Sequence, residues 1–192
     1  LVVISSVAFV ITTVMLGPLC FALSPVALLI IFWYSLAKRY TTYTQLFLGL
    51  ALAVVPMGGW LAAGGRWGLA PWLLAFGTAM WVAGFDIIYA CEDVEFDRKN
   101  GLFSIPVRFG IKRAIWISRG LHVVTILMLA SIALVMPLGL TYVAGVAGVA
   151  VLLGYEQTLV SPDDLSRVKQ DFDLNGYVGL LYLMTTAVAL YV

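Results

Sequence analysis

The chain has 192 residues, 62% of them hydrophobic and 11% charged, with a formal net charge of +1. A soluble domain carries about 25% charged residues, so this composition excludes a water-soluble globule and predicts an all-α, polytopic transmembrane bundle in a lipid bilayer, read as one domain over residues 1–192. The two cysteines, Cys20 and Cys91, show neither a pairing pattern nor metal-ligand spacing and read as packing residues, and no nucleic-acid partner is expected.

Seven apolar segments are read in chain order. They cover about 1–16, 23–36, 45–63, 71–91, 114–136, 141–155 and 174 to the end; segments of about 20 residues span a bilayer, and shorter ones do so with tilt or local thinning. The first residue is Leu1, with neither a basic leader nor a small-residue cleavage site, which reads as a chain cut in or just before a membrane helix. In the second segment Pro25 takes a first-turn position. Pro137 stops the fifth segment. His122 reads as a polar residue facing the bundle, not as a ligand. In the third connection, Ser161-Pro-Asp-Asp164 reads as a helix cap with acidic first-turn residues, and the stretch from Glu156 to Asp173 as a solvated surface. Asn175, beside Gly176 and Gly179, begins the last helix and marks helix-to-helix packing.

Seven crossings place the connections after the second, fourth and sixth segments on one side. Those connections and their flanks hold Lys38, Arg39, Arg98, Lys99, Arg108, Lys112, Arg113, Arg119, Arg167 and Lys169, against Arg66 alone on the other side. This bias marks the charged side as cytoplasmic. All ten acidic residues lie there too. An integral protein of a bacterial inner membrane, with its site facing the cytoplasm, is expected.

Five of the ten acidic residues fall between Asp86 and Asp97. If the fourth helix continues through them, Asp93 lies about 20° from Asp86 and Asp97 about 40° from Asp93, forming one stripe about 16 Å long. Crowded carboxylates call for a cation, and oxygen ligands in ones and twos completed by phosphate are the usual Mg²⁺ site. A solvated helix end is the plainer reading of an acidic run. Asp86 argues against it, because an ionisable residue inside an apolar segment is by default a functional-site candidate. Residues 92–113 then read as a cap loop, with Asn100-Gly101 as a turn and Pro106 as a breaker. Lys38 and Arg39 read as interfacial anchors or, beside an acidic metal site, as a grip on phosphate.

The run Asp86-Ile-Ile-Tyr89-Ala-Cys-Glu-Asp93-Val-Glu-Phe-Asp97, continued by Gly101-Leu-Phe-Ser104-Ile-Pro-Val-Arg108-Phe-Gly110, closely resembles the second aspartate-rich motif of the UbiA superfamily of intramembrane aromatic prenyltransferases. Tyr34…Lys38-Arg39-Tyr40-Thr41, Val55-Pro56-Met57-Gly58-Gly59-Trp60 and Phe172…Asn175…Gly179 resemble further parts of that family. The resemblance spans essentially the whole chain. It implies helices three to nine of a nine-helix fold, without the first aspartate motif, as in a fragment of a longer protein. It also implies Mg²⁺ at Asp86, Asp93 and Asp97, and a polyprenyl diphosphate gripped by Lys38 and Arg39 with Arg98 or Lys99. Tyr34 and Tyr89 would steady an allylic cation, and a cap with Asn100, Ser104 and Arg108 would exclude water. The aromatic acceptor, of the hydroxybenzoate type used for ubiquinone or the naphthoate type of a menaquinone route, is left open. Two alternatives are a CDP-alcohol phosphotransferase, whose upstream Asp-Gly…Ala-Arg stretch is missing, and a non-catalytic transporter or scaffold.

Overall fold

The computed structural model describes residues 1–191; Val192, the last residue of the expected seventh segment, lies outside them. Every apolar segment forms a helix, because backbone polar groups in hydrocarbon must be satisfied within the segment. Among the described residues there are nine helices and no strand. Seven are long: α1 (Val2–Leu16), α2 (Pro18–Ala37), α3 (Thr44–Ala62), α4 (Leu69–Tyr89), α7 (Ile111–Val135), α8 (Gly139–Leu159) and α9 (Val168–Tyr191). Two are short and lie in the expected cap loop: α5 (Val94–Lys99) and α6 (Ile105–Phe109). Six of the long helices are long and apolar enough to cross a membrane; α1 is apolar but shorter.

Helix α4 is the centre of the bundle. It packs against α3, α7 and α9, while α1 and α2 extend the row beyond α3. Small residues set the closest approaches, as expected where lipid offers no hydrophobic drive between helices. A Cβ at Gly49 would collide with the backbone of Ala79, one at Gly84 with the His122 ring, and one at Gly145 with Thr185. Polar groups join the remaining seams. Trp81 donates to Asn175 Oδ1 at 2.8 Å. Gln157 Nε2 lies 2.9 Å from Ser118 Oγ and 3.0 Å from His122 Nδ1. His122 therefore faces the bundle, as read from the sequence.

Four expectations about local structure are corrected. Helix α2 begins at Pro18, so Pro25 lies inside it and not in its first turn; interior proline is tolerated where other groups and local adjustments take up the freed carbonyls. Residues 161–164 form a turn, in which Ser161 Oγ accepts from Asp164 N at 3.1 Å, and α9 starts only at Val168. Asn175 consequently sits in the second turn of α9, although its packing role holds. The stretch from Glu156 to Asp173 is solvated only in part, since Glu156 and Asp171 within it are buried.

The fourth correction bears on the site. Helix α4 stops at Tyr89, and the amides of Cys91, Glu92 and Asp93 bond three residues back, to Ile88, Tyr89 and Ala90. This tighter turn advances about 120° per residue in place of 100°, so the acidic residues leave the single stripe. The electrostatic cause is in the sequence. Glu92, Asp93, Glu95 and Asp97 on a continued α4 would crowd the negative end of its dipole. Restarting the helix at Val94 puts Glu95 and Asp97 in the first turn of α5 and Arg98 and Lys99 in its last, each at the end that favours it.

Candidate active site

The charged end of the bundle gathers the end of α2, the start of α3, the end of α4, and helices α5 and α6. Lys38 follows the last residue of α2 and reaches across to α5. Its Nζ lies 2.9 Å from Asp97 Oδ1 and 3.5 Å from Asp93 Oδ2. Asp97 is wholly buried, whereas the Lys38 side chain keeps a third of its surface in contact with solvent. Burial pulls the Lys38 ammonium down, but hydrogen bonding and charge from Asp97, with those of Asp93, outweigh it and raise its pKa above the ordinary lysine value. Asp86, one turn before the end of α4, lies near enough to Lys38 and Asp93 for their charges to act on it. The Tyr34 hydroxyl lies within the same field of Asp86 and Lys38.

The structure therefore brings together Lys38, Asp86, Asp93, Asp97 and Tyr34. Other expected residues lie apart from this group. Tyr89 is exposed and packs against Phe172 of α9, with ring centroids 5.3 Å apart. Arg39, Arg98, Lys99 and Arg108 are exposed. Asn100 donates to the carbonyl of Phe96 at 2.8 Å, closing the end of α5. Ser104 is buried and caps α6, its Oγ accepting from Val107 N at 3.4 Å. Cys91 is a packing residue, as expected: its thiol, pushed by burial up to about 12, donates to the Ile87 carbonyl.

The sequence profile of the UbiA prenyltransferase family matches residues 1–185. The chain belongs to this family. Among similar UbiA-family proteins, the 4-hydroxybenzoate octaprenyltransferase of Vibrio parahaemolyticus serotype O3:K6 (strain RIMD 2210633) is 33% identical over 187 residues, covering 97% of this chain and 64% of the relative. The protein of the same name from Aeromonas salmonicida (strain A449) is 34% identical over 182 residues, covering 93% of this chain and 61% of the relative. The chain thus spans a little under two-thirds of the length of these relatives. A solved structure, the apo structure of a UbiA homolog from Aeropyrum pernix K1, superposes with a TM-score of 0.87 at 32% identity, over 98% of this chain and 70% of that one.

Within this UbiA-family fold, the donor set can be weighed directly. Asp97 Oδ2 is buried without a hydrogen-bond partner, and Asp97 Oδ1 is buried against the Lys38 ammonium at 2.9 Å. Among the described residues, no three carboxylates, histidines or cysteines converge closely enough to hold a metal ion alone. Two carboxylates completed by phosphate oxygens are nonetheless an ordinary arrangement for Mg²⁺, and Asp93 with the orphaned Asp97 fits it.

Sequence reasoning missed Gln45. This side chain is 1% exposed, and its Oε1 accepts from the Ile105 amide at 3.3 Å, fastening the cap loop to α3. A glutamine in the first turn of a membrane helix reads as interfacial, and only its burial reveals the role.

Proposed function

We propose that this chain carries the diphosphate-handling part of an intramembrane aromatic prenyltransferase. The reaction transfers a polyprenyl group from polyprenyl diphosphate to an aromatic acid of the 4-hydroxybenzoate type, in respiratory quinone synthesis. The carrying observation is the Lys38 ammonium lodged between Asp93 and Asp97, in a UbiA-family chain whose relatives bear the name 4-hydroxybenzoate octaprenyltransferase.

The chemistry follows from charge. Asp93 and Asp97, with Asp86 beside them, would hold Mg²⁺ together with the phosphate oxygens of the substrate. When bound, Mg²⁺ supplies charge stabilisation to the departing diphosphate. Lys38 leaves its carboxylate partners and turns to the same diphosphate, and Arg39, Arg98 and Lys99, all solvent-facing, add to the positive field around it. The allylic C–O bond breaks, and its electron pair leaves with the diphosphate. A ring carbon of the acceptor then attacks the allylic cation, and the ring loses the displaced proton. Tyr34 presents its π face toward the developing cation, a role Tyr89 shares only if it turns away from Phe172. The apolar bundle behind the site suits the isoprenoid tail. The ten-to-one basic bias and the bacterial relatives support a site on the cytoplasmic side of a bacterial inner membrane.

The test uses the full native protein in lipid vesicles, a radiolabelled polyprenyl diphosphate, and either 4-hydroxybenzoate or a dihydroxynaphthoate, with and without Mg²⁺. Mg²⁺-dependent prenylation of 4-hydroxybenzoate is expected. Product with the naphthoate alone would assign the chain to the menaquinone branch. No product with either acceptor and no release of diphosphate would overturn the reading.

A further inference from the structure

The segment between Gly101 and Gly110 is fastened to the site in an orderly way. Both glycines have positive φ, +66° and +84°, and bracket the segment as turns. Leu102 N donates to the carbonyl of Asp97 at 2.9 Å, and Phe103 N donates to the carbonyl of Lys38 at 2.8 Å. Two consecutive amides thus join the backbones of the two residues whose side chains form the 2.9 Å ion pair. Next, Ile105 N donates to Gln45 Oε1 at 3.3 Å, and Ser104 caps the short helix that follows. Ser104, Ile105 and Pro106 are all buried, so the Ile105 amide has no water to turn to if its acceptor is removed. The first two attachments are backbone to backbone and survive most substitutions. Gln45 is the side-chain attachment of this segment to α3, and it comes from a residue sixty positions away in the chain.

We propose that Gln45 is a positioning residue that holds segment 102–105 against the Lys38–Asp97 pair, and that this closure directs the ionised prenyl group to the aromatic acceptor and away from water. The inference rests on the prenyltransferase reading. Once the C–O bond breaks and the electron pair leaves with the diphosphate, two nucleophiles compete for the allylic carbon. Attack by a ring carbon gives prenylated acceptor and releases the ring proton. Attack by water gives a prenol and releases a water proton. Excluding water from such a site is a matter of how firmly the covering segment is held. A segment fastened at Asp97, Lys38 and Gln45 is held on three helices at once. Without the third attachment, the Ile105 amide is satisfied only when the segment lifts far enough to admit water.

The experiment compares wild type, Gln45→Met and Gln45→Glu in the full native protein in vesicles. Gln45→Met keeps the length and loses the acceptor; Gln45→Glu keeps an acceptor oxygen at the same reach. The first readout is the ratio of prenol to prenylated acceptor. In Gln45→Met it rises by about tenfold, the factor that losing one buried backbone hydrogen bond allows, and Gln45→Glu returns it toward the wild-type value. The second readout is hydrogen exchange across residues 102–109, which speeds in Gln45→Met while α8 and α9 are unchanged. An unchanged product ratio in an active Gln45→Met, exchange accelerated throughout the chain, or Gln45→Glu behaving like Gln45→Met would each overturn the proposal. Wild-type protein that releases no diphosphate from prenyl diphosphate would instead defeat the prenyltransferase reading, and with it the product-partition claim. Hydrogen exchange would then still decide whether Gln45 holds the segment.

Discussion

Replacing Lys38 with methionine should move two properties in opposite directions. In the structure the ammonium lies between Asp93 and Asp97, the carboxylates proposed to hold the metal ion, at 3.5 and 2.9 Å from their oxygens. Two unit charges about 4 Å apart interact by about 4 kcal/mol at an effective dielectric near 20, and by about 1 kcal/mol in bulk water. The Lys38 side chain is 33% exposed, so the applicable value lies toward the lower limit, on the order of 1–2 kcal/mol. Removing that competing charge should tighten metal binding in the absence of diphosphate by about five- to thirtyfold. A Mn²⁺ titration followed by electron paramagnetic resonance measures it directly on purified protein. Turnover should fall, by about 100-fold, because the same ammonium is proposed to stabilise the leaving diphosphate. Equal or weaker Mn²⁺ binding in Lys38→Met would refute the idea that Lys38 holds the place of the metal. The pair also has a pH signature. Its lysine pKa is raised in the folded state, so its contribution to stability is fully present below the unfolded lysine value of about 10.4. That contribution is lost as pH rises through the higher folded value. The difference in thermal stability between wild type and Lys38→Met should therefore hold constant across neutral and mildly alkaline pH and shrink only above that range.

Asp93→Asn in the full protein should abolish Mg²⁺-dependent transfer while leaving membrane insertion intact, and near-wild-type turnover would remove Asp93 from the site. Gly49→Ala should destabilise the bundle by about 1–3 kcal/mol, because the added methyl meets the Ala79 backbone and not a movable side chain; an unchanged melting temperature in detergent would contradict the close α3–α4 approach. Cys91 should resist maleimide labelling in the native protein at neutral pH and react after denaturation, since the buried thiol is pushed up to about 12 and donates to the Ile87 carbonyl. Mass spectrometry of the labelled chain reads this out.

Much of the architecture was legible because hydrocarbon imposes one solution on apolar segments. Each of the seven segments is a long helix, with ends shifted by a few residues where proline or glycine permits helix to continue. Gly17, with φ of +123°, splits what would otherwise read as one apolar run into α1 and α2. The acidic cluster was legible for a related reason: Asp86 sits where a charge is costly, and Lys38 lies in the one connection before it that carries adjacent basic residues. Their union, across 55 positions of sequence, follows from α2 and α4 both packing on α3 and ending on the same side of the bundle.

What the sequence hid were interactions decided by a helix end or by burial. The periodicity that placed Asp86, Asp93 and Asp97 on one stripe assumes 100° per residue throughout. That assumption fails where consecutive carboxylates meet the negative end of α4 and the amides of residues 91–93 bond three residues back. Gln45, Glu156 and Asp171 lie in segments whose composition reads as interface, yet each is buried. For Gln45 the reason is a backbone amide with no other acceptor. Nothing in the hydropathy of α3 distinguishes a glutamine that meets water from one that meets Ile105, because the distinction lies in the loop sixty residues downstream. The site is therefore specified by two kinds of information: charges that are conspicuous because they are rare in an apolar chain, and hydrogen-bond acceptors that become visible only once the cap has folded onto them. A substitution that spares every charge, such as Gln45→Met, is thus expected to shift the product ratio, where one that removes Lys38 is expected to lower turnover.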